Sequence, residues 1–253
     1  MTSHPPGPCC TVGVKHEGDP TGQIIQVENW KAYVATPSPE KAHNDAAILY
    51  LPDILGIWKN SQLVADQFAA NGYYTLLIDV FNGDPVDVNA NLSLDQIMTW
   101  IAEGSDGKNP HTSDYVDPVV EAGIRYLKQE KGFKRLGAVG YCFGAKYVVR
   151  HYKTGIDVGY FAHPSGVIED ELASITGPLS IVAAEIDPIF PTEERHKSEG
   201  ILRNTGQPWQ ISLFSGVPHG FAVRCDPSRR SERFAKERAF VQAVAWFDEY
   251  LVS

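Results

Sequence analysis

Residues 133–152, "FKRLGAVGYCFGAKYVVRHY", carry the clearest signal of the fold of this chain. Its first half is a continuous apolar run of strand length, typical of a strand that is buried on both faces. Its second half predicts a helix that follows without an intervening loop. Gly140 and Gly144 flank Cys142 where the strand changes into the helix. A buried strand that passes directly into a helix favours a sheet of parallel strands covered by helices.

The rest of the chain repeats this alternation of strands and helices. Strands are predicted at 22–37 (two short strands with a turn at Glu28 and Asn29), 45–53, 73–81, 133–141, 157–163, 178–187 and 208–216, and helices at 60–71, 93–103, 114–131, 143–152, 191–204 and 228–251. The pattern predicts an α/β fold with a mostly parallel central sheet and helices on both faces. We expect one domain over 1–253, in which residues 1–20 form a loose N-terminal arm.

Composition narrows the possible functions. The chain has 253 residues and a net charge of -9, and such an acidic protein is repelled by nucleic acid and by anionic lipid surfaces. It has no apolar run of the roughly 20 residues that a membrane helix needs and no secretory signal at its start. We therefore expect a cytoplasmic protein with a small-molecule partner, no nucleic-acid or membrane partner, and no metal or cofactor. The sequence does not distinguish a monomer from a homodimer.

The four cysteines are Cys9, Cys10, Cys142 and Cys225, and their spacing is not that of a zinc site. In a reducing cytosol they are expected to be free thiols. Cys9 and Cys10 are interpreted as small apolar side chains or as part of the N-terminal arm, with a redox role as a weaker alternative.

Cys142 has the setting of a nucleophile. A residue at a sharp strand-to-helix turn is held in a strained conformation, and the positions two before and two after it must be small. Gly140 and Gly144 meet this need. We call this turn, residues 140–144, the elbow. The free N–H groups at the start of the following helix favour a thiolate, which is a strong nucleophile near neutral pH. The alternative is a core cysteine beside packing glycines.

An elbow of this type takes its partners in the order nucleophile, acid, histidine. Asp187 ends a predicted strand and His219 follows the last one, so both stand where this order requires. The weaker candidates for the acid are Asp157, Asp170 and Glu185, the last of which lies two residues before Asp187. Of the other histidines, His163 is the best competitor, but it precedes Asp187 and violates the order. The predicted triad is Cys142, Asp187 and His219.

Four motifs resemble the dienelactone hydrolase family of α/β-hydrolases: "YLPDILGI" (50–57), "GYCFG" (140–144), "AAEIDPIFP" (183–191) and "PHGFAVR" (218–224). The fungal members resemble the chain further in "AHPS" and in an N-terminal "CC". The resemblance covers about residues 9–250. It implies hydrolysis of a small lactone, ester or thioester through an acyl-thioenzyme.

The resemblance also implies roles for individual residues. Cys142 would be the nucleophile, His219 the base and then the acid, and Asp187 the residue that orients His219. The oxyanion hole would consist of the N–H groups of Phe143 and Ile54.

Five further residues are candidates for contacts with the substrate or with the resting thiol. Bacterial members hold the thiol with a glutamate; Asp53 stands at that position and is one methylene shorter. Of the two arginines that grip a substrate carboxylate in those members, one has no counterpart, and Arg224 lies one residue late for the other, with an exposed salt bridge as its alternative. Lys146 either binds an anion or pairs with a nearby acid. Trp58 and Phe81 either line the pocket or pack in the core.

Three other functions stay open at this stage. A biosynthetic thioesterase or lactone-processing enzyme would share the chemistry but not the substrate. A non-catalytic relative would keep the fold and lose activity. A redox sensor would use Cys142 as a peroxide-reactive thiol, with Cys225 as the thiol that closes a disulfide.

Overall fold

A computed structural model describes residues 1–252. Eight strands form one sheet: β1 Gln23–Val27, β2 Trp30–Ala35, β3 Ala46–Leu51, β4 Tyr74–Ile78, β5 Arg135–Tyr141, β6 Val158–Ala162, β7 Leu179–Ile186 and β8 Trp209–Pro218. The α-helices are α1 Lys59–Ala70, α2 Leu94–Glu103, α3 Ser113–Arg125, α4 Gly144–Arg150, α5 Glu169–Ala173, α6 Thr192–Leu202, α7 Phe221–Arg224 and α8 Arg230–Phe247.

The strands lie in the order β1-β2-β4-β3-β5-β6-β7-β8. Only β2 runs antiparallel to its neighbours β1 and β4, and the other neighbouring strands are parallel. The α/β fold with a mostly parallel sheet is thus confirmed. Since parallel strands end at the same edge, the carboxyl ends of β3, β5, β7 and β8 bring their following loops together.

Each face of the sheet carries its own apolar core, which is why the central strands read as continuous apolar runs. Along β3, Ile48 faces the core shared with α1 and α8, whereas Leu49 faces the core shared with α3 and α4. All six residues of β3 are buried. Helices on both faces, as predicted, cover the central strands, so β3 and β5 can meet a ligand at their ends.

Most of the predicted elements are present within a few residues of their expected limits. The predicted helix 114–131 is the α-helix α3 followed by one π-helical turn, Tyr126–Glu130. The two shortest helices, α5 and α7, were not predicted, because four or five residues carry no readable period. Among residues 1–252, no helix has the length and apolar character needed to cross a lipid bilayer.

The prediction of a loose arm over residues 1–20 is wrong for its first eleven residues. The N–H groups of Thr2 and Ser3 donate to the carbonyl of Val167 at 2.9 and 3.2 Å. Thr2, Ser3, Cys10 and Thr11 are buried. We call residues 1–11 the N-terminal segment. It has no strand and pairs with loops at the carboxyl edge of the sheet, a long-range contact that local sequence does not signal.

Candidate active site

The elbow has the strained geometry that its sequence predicts. Cys142 has a φ of 51°, in the left-handed region that a residue with a Cβ rarely adopts. A Cβ on Gly140 would lie 2.7 Å from Val148 Cγ2, and one on Gly144 would collide with the carbonyl oxygen of Leu51. Both glycines are therefore required sterically. The turn leaves the Cys142 side chain at the carboxyl edge of the sheet.

Asp187 and His219 lie together at the same edge. Asp187 follows β7 and His219 follows β8, and Asp187 Oδ2 is 2.9 Å from His219 Nδ1. The other carboxylate oxygen accepts hydrogen bonds from the N–H groups of Ile189 and Phe190, at 2.8 and 3.1 Å. These bonds fix the carboxylate, which in turn fixes the imidazole and leaves Nε2 facing the cysteines.

A second thiol, which the sequence interpretation did not assign to the site, completes the cluster. Cys10 Sγ lies 3.3 Å from Cys142 Sγ and 3.5 Å from His219 Nε2. The two sulfurs and Nε2 all lie within 4.8 Å of one another, and all three residues are buried. Ser165 Oγ is 3.7 Å from Cys142 Sγ on another side. Two thiols and an imidazole are also donors that soft metal ions accept.

The charges of these groups favour a thiolate beside an imidazolium. Burial opposes ionisation of Cys142, but its hydrogen bond with Cys10 and the charge of His219 bring its pKa well below the ordinary value. Burial likewise opposes protonation of His219, but the charges of Asp187 and Cys142 raise its pKa to about 10. Burial opposes ionisation of Asp187, but the charge of His219 and the hydrogen bonds to the carboxylate together lower its pKa. Burial raises the pKa of Cys10, which stays a neutral thiol.

Asp53 and Arg224 form a second buried ion pair next to this cluster. Arg224 Nη1 donates to Asp53 Oδ2 at 2.5 Å, and both side chains are almost completely inaccessible. Burial raises the pKa of Asp53, although the charge of Arg224 opposes the shift. The interpretation of Arg224 as an exposed salt bridge is therefore wrong. Local sequence could not show this, because its partner lies 171 positions away.

Of the remaining candidates, Lys146 and Phe81 have structural partners. Lys146 Nζ lies 2.8 Å from Glu171 Oε1, so the pairing with a nearby acid that the sequence suggested is present. Phe81 is fully buried and packs against Trp100 and Phe143, with ring centroids 5.1 and 5.0 Å apart. Trp58 is half-buried, and its indole N–H has no hydrogen-bond partner within residues 1–252.

His163, the competing histidine, lies beside the cluster without joining it. Its ring packs edge-on against that of His219, with centroids 5.0 Å apart. Neither ring nitrogen of His163 has a hydrogen-bond partner in the described part of the chain. Burial and the charge of His219 bring its pKa well below the ordinary value, so the ring is neutral. It can shape the wall behind His219 but has no acid to orient it.

A cavity of about 300 Å³ opens beside the cluster. Its lining includes Cys9, Val12, His219, Phe221 and Arg224. The walls are mainly apolar, and their charged groups are His219, Arg224, Asp226, Arg229 and Glu232. A cavity of this size matches a small organic molecule. A larger cleft of about 450 Å³ beside Thr21 and Asp66 does not border any of the cluster residues.

Cys225 does not take the place that the redox hypothesis gave it. Its sulfur lies 3.8 Å from His16 Nε2, and within residues 1–252 the thiol in contact with Cys142 belongs to Cys10. The only sequence signal for this contact was the pair "CC" itself. Those two letters do not indicate which strand of the sheet the N-terminal segment lies beside.

Comparisons with known proteins agree with this architecture. A sequence profile described as the dienelactone hydrolase family matches residues 30–251. The chain is 47% identical to the hydrolase pyvD of Aspergillus violaceofuscus over 99% of each chain. It is also 47% identical to the hydrolase tropI of Talaromyces stipitatus, again over 99% of each chain. The crystal structure of a dienelactone hydrolase from Anabaena variabilis is similar in fold, with a TM-score of 0.64 at 13% identity, over 93% of this chain and all of that one. The chain therefore belongs to the dienelactone hydrolase family of hydrolases.

Proposed function

We propose that this protein hydrolyses a small lactone, ester or thioester through a thioester intermediate on Cys142. The observation that carries the proposal is the buried cluster at the elbow, in which Cys142 and His219 are in reach of one another and Asp187 is 2.9 Å from the far side of the imidazole. Such a chain of thiolate, imidazolium and carboxylate is the arrangement that acyl transfer needs.

The first step is attack on the substrate carbonyl. The Cys142 thiolate forms a bond to the carbonyl carbon, and the electron pair of the C=O bond moves onto oxygen. The N–H groups of Phe143 and Ile54 are proposed to stabilise this oxyanion. Phe143 directly follows Cys142, and Ile54 follows β3 at the same edge. Within residues 1–252, no backbone hydrogen bond occupies either N–H group.

His219 then handles the protons. Its Nε2–H gives a proton to the leaving oxygen or sulfur as the tetrahedral intermediate collapses, which leaves an acyl group on Cys142. A water molecule replaces the leaving group, His219 takes a proton from it, and the resulting hydroxide attacks the thioester carbonyl. Collapse of the second intermediate releases the acid and restores the thiolate. Asp187 keeps the imidazole oriented in both halves of the reaction.

Arg224 is the proposed contact for a negatively charged part of the substrate. Its Nη1 is bound to Asp53, but its Nη2 is buried and has no hydrogen-bond partner within residues 1–252. A buried N–H without a partner is costly, and a ligand oxygen at this position would remove that cost. Asp53 is held by this pair, so Cys10, not Asp53, is the proposed partner of the resting thiol.

The test is hydrolysis of matched small esters, thioesters and lactones, each with and without a free carboxylate. We expect Cys142→Ala to lose turnover roughly a millionfold, the scale seen when a triad nucleophile is removed. Cys225→Ala serves as the matched control, because it removes a buried thiol that borders the cavity but contacts His16 instead of the cluster, and its turnover should stay close to that of the parent. Turnover by Cys142→Ala well above the uncatalysed rate, with an unchanged thermal melt, would exclude the proposed nucleophile.

A further inference from the structure

Cys10 holds the resting Cys142 thiol, but no bond that forms or breaks during hydrolysis involves the Cys10 sulfur. The sulfurs are 3.3 Å apart, and a disulfide has a length of about 2.05 Å, so the two atoms need to approach by only about 1.3 Å. Cys10 sits in a short 3₁₀ turn, Pro8–Cys10, between the loop contacts of the N-terminal segment. Cys142 sits at the fixed elbow. The chain thus holds two buried thiols side by side from segments 132 positions apart.

We propose that Cys10 and Cys142 form a redox-active pair, which a peroxide converts into a reversible disulfide. This goes beyond hydrolysis, because the chemistry uses the thiolate and the neighbouring thiol and needs no ester substrate. The disulfide would bind the sulfur that attacks the substrate, so the oxidised protein would be inactive as a hydrolase until it is reduced.

The first step forms a sulfenic acid. The Cys142 thiolate attacks one oxygen of hydrogen peroxide, an S–O bond forms, and the O–O bond breaks. The hydroxide that leaves takes the proton of the His219 imidazolium and becomes water. Sulfur has lost two electrons to the peroxide oxygens, and His219 is left neutral beside Cys10.

The second step closes the disulfide. Neutral His219, whose Nε2 is 3.5 Å from Cys10 Sγ, takes the proton of the Cys10 thiol. The resulting thiolate attacks the sulfenic sulfur, an S–S bond forms, and the S–O bond breaks. The hydroxide that leaves takes the proton back from His219 and becomes a second water. One peroxide is thus reduced to two waters, and two thiols become one disulfide.

The surroundings of the pair distinguish Cys10 from the other thiols. Cys225 contacts His16 instead of the cluster. Cys9 is half-buried and lines the cavity next to His219, and this cavity gives small oxidants and reductants a route towards the pair.

A dithiol reductant reverses the reaction by two exchange steps, in which its own sulfurs become the disulfide. Without a neighbouring thiol, the sulfenic acid would instead be oxidised further to the sulfinic acid, which dithiol reductants do not convert back to the thiol.

The experiment treats the full chain with one to ten equivalents of hydrogen peroxide. Free thiols are then blocked in acid, and peptides are mapped by mass spectrometry without reduction. Trypsin separates the relevant thiols into the peptides 1–15, 136–146 and 225–229. We expect a disulfide between 1–15 and 136–146, and loss of both the crosslink and the inhibition after dithiothreitol.

Single variants identify the partner within peptide 1–15, which contains both Cys9 and Cys10. Cys9→Ser should still form the crosslink to 136–146, whereas Cys10→Ser should lose it and accumulate sulfinic acid on Cys142 that dithiothreitol does not remove. Cys225→Ser should behave as the parent protein. If Cys10→Ser does not fold, as judged by its thermal melt, Cys10→Ala replaces it, and the Cys9→Ser crosslink alone still tests the assignment.

Three results would overturn the proposal. They are a crosslink from Cys142 to Cys225, a crosslink that Cys9→Ser abolishes, and sulfinic acid forming on Cys142 as fast in the parent as in Cys10→Ser. The mass readout does not depend on turnover. A disulfide without hydrolase activity would therefore support the redox-active pair and contradict the proposed function. Hydrolase activity without the disulfide would support the proposed function and contradict the redox-active pair.

Discussion

The elbow and the N-terminal segment each supply one thiol to the same cluster, but they hold it by different means. Cys142 is fixed by its own neighbours in sequence: two glycines, a buried strand before it and a helix after it. Cys10 is fixed by remote contacts, since Thr2 and Ser3 bond to Val167 and no sheet pairing ties the segment down. The position of the reactive sulfur is therefore set by the fold itself, whereas the position of its neighbour depends on a segment that packs over the site.

If the cluster at the elbow carries out hydrolysis, the largest loss of turnover should follow from a change in Asp187, the partner of His219. Asp187→Asn keeps the shape of the side chain but removes the charge that raises the pKa of His219. We expect turnover to fall by roughly 10³ to 10⁴. Steady-state kinetics with a small ester measure this. Glu185→Gln is the control, because Glu185 is exposed and its carboxylate accepts a hydrogen bond from the N–H of Gly216, outside the cluster. An equal loss in both variants would contradict the assignment of the acid.

A second prediction tests whether the elbow is as tightly packed around Gly144 as the contact with Leu51 indicates. Gly144→Ala places a methyl group against the carbonyl of Leu51, so the helix or β3 must shift. We expect a loss of about 3 kcal/mol in the free energy of unfolding. Denaturant unfolding measures it. Gly200→Ala adds the same methyl in an exposed helical position with nothing within 4 Å, and it should stabilise by up to about 1 kcal/mol. Equal effects would mean that the elbow is not tightly packed.

A third prediction asks whether the elbow is tuned for sulfur. Cys142→Ser fits sterically, but a hydroxyl is not ionised by the environment that ionises the thiol. We expect the rate to fall on the order of a hundredfold or more, about 3 kcal/mol of barrier. The thermal melt should stay at the parent value. Full retention of the rate would show that the thiolate gives this site no advantage over serine.

The smallest effect is expected from the N-terminal segment. The hydrogen bond with Cys10 lowers the pKa of Cys142, so Cys10→Ala should raise it. Iodoacetamide reacts with thiolate, and peptide 136–146 reports Cys142 alone. In the parent the reaction should stay fast well below the unperturbed thiol pKa of about 8.5. In Cys10→Ala the inflection should move up by about one pH unit.

Cys225→Ala is the control for that shift, and it should follow the parent profile. If parent and Cys10→Ala both inflect near the unperturbed value, neither His219 nor the N-terminal segment ionises the thiol.

The parts of the molecule that the sequence predicts are those held by neighbours in sequence. The sheet and the elbow could be predicted because their signals are local: apolar runs of strand length, and glycines two positions either side of Cys142. The position of Asp187 and His219 followed from their places after consecutive strands. Cys10 and the burial of Arg224 could not be predicted, because each depends on a partner more than 100 positions away. The hydrophobic periodicity of a sequence does not indicate contacts between residues so far apart.

The central claim is that Cys142 carries the acyl group during turnover. It is tested most directly by mixing the protein with an ester whose acyl-enzyme hydrolyses slowly, quenching in acid within the first turnover, and mapping the peptides by mass spectrometry. We expect the acyl mass on Cys142 in peptide 136–146, formed at least as fast as product in the steady state. An acyl group on Ser165, whose hydroxyl lies 3.7 Å from the Cys142 sulfur, or on Cys10 would contradict it.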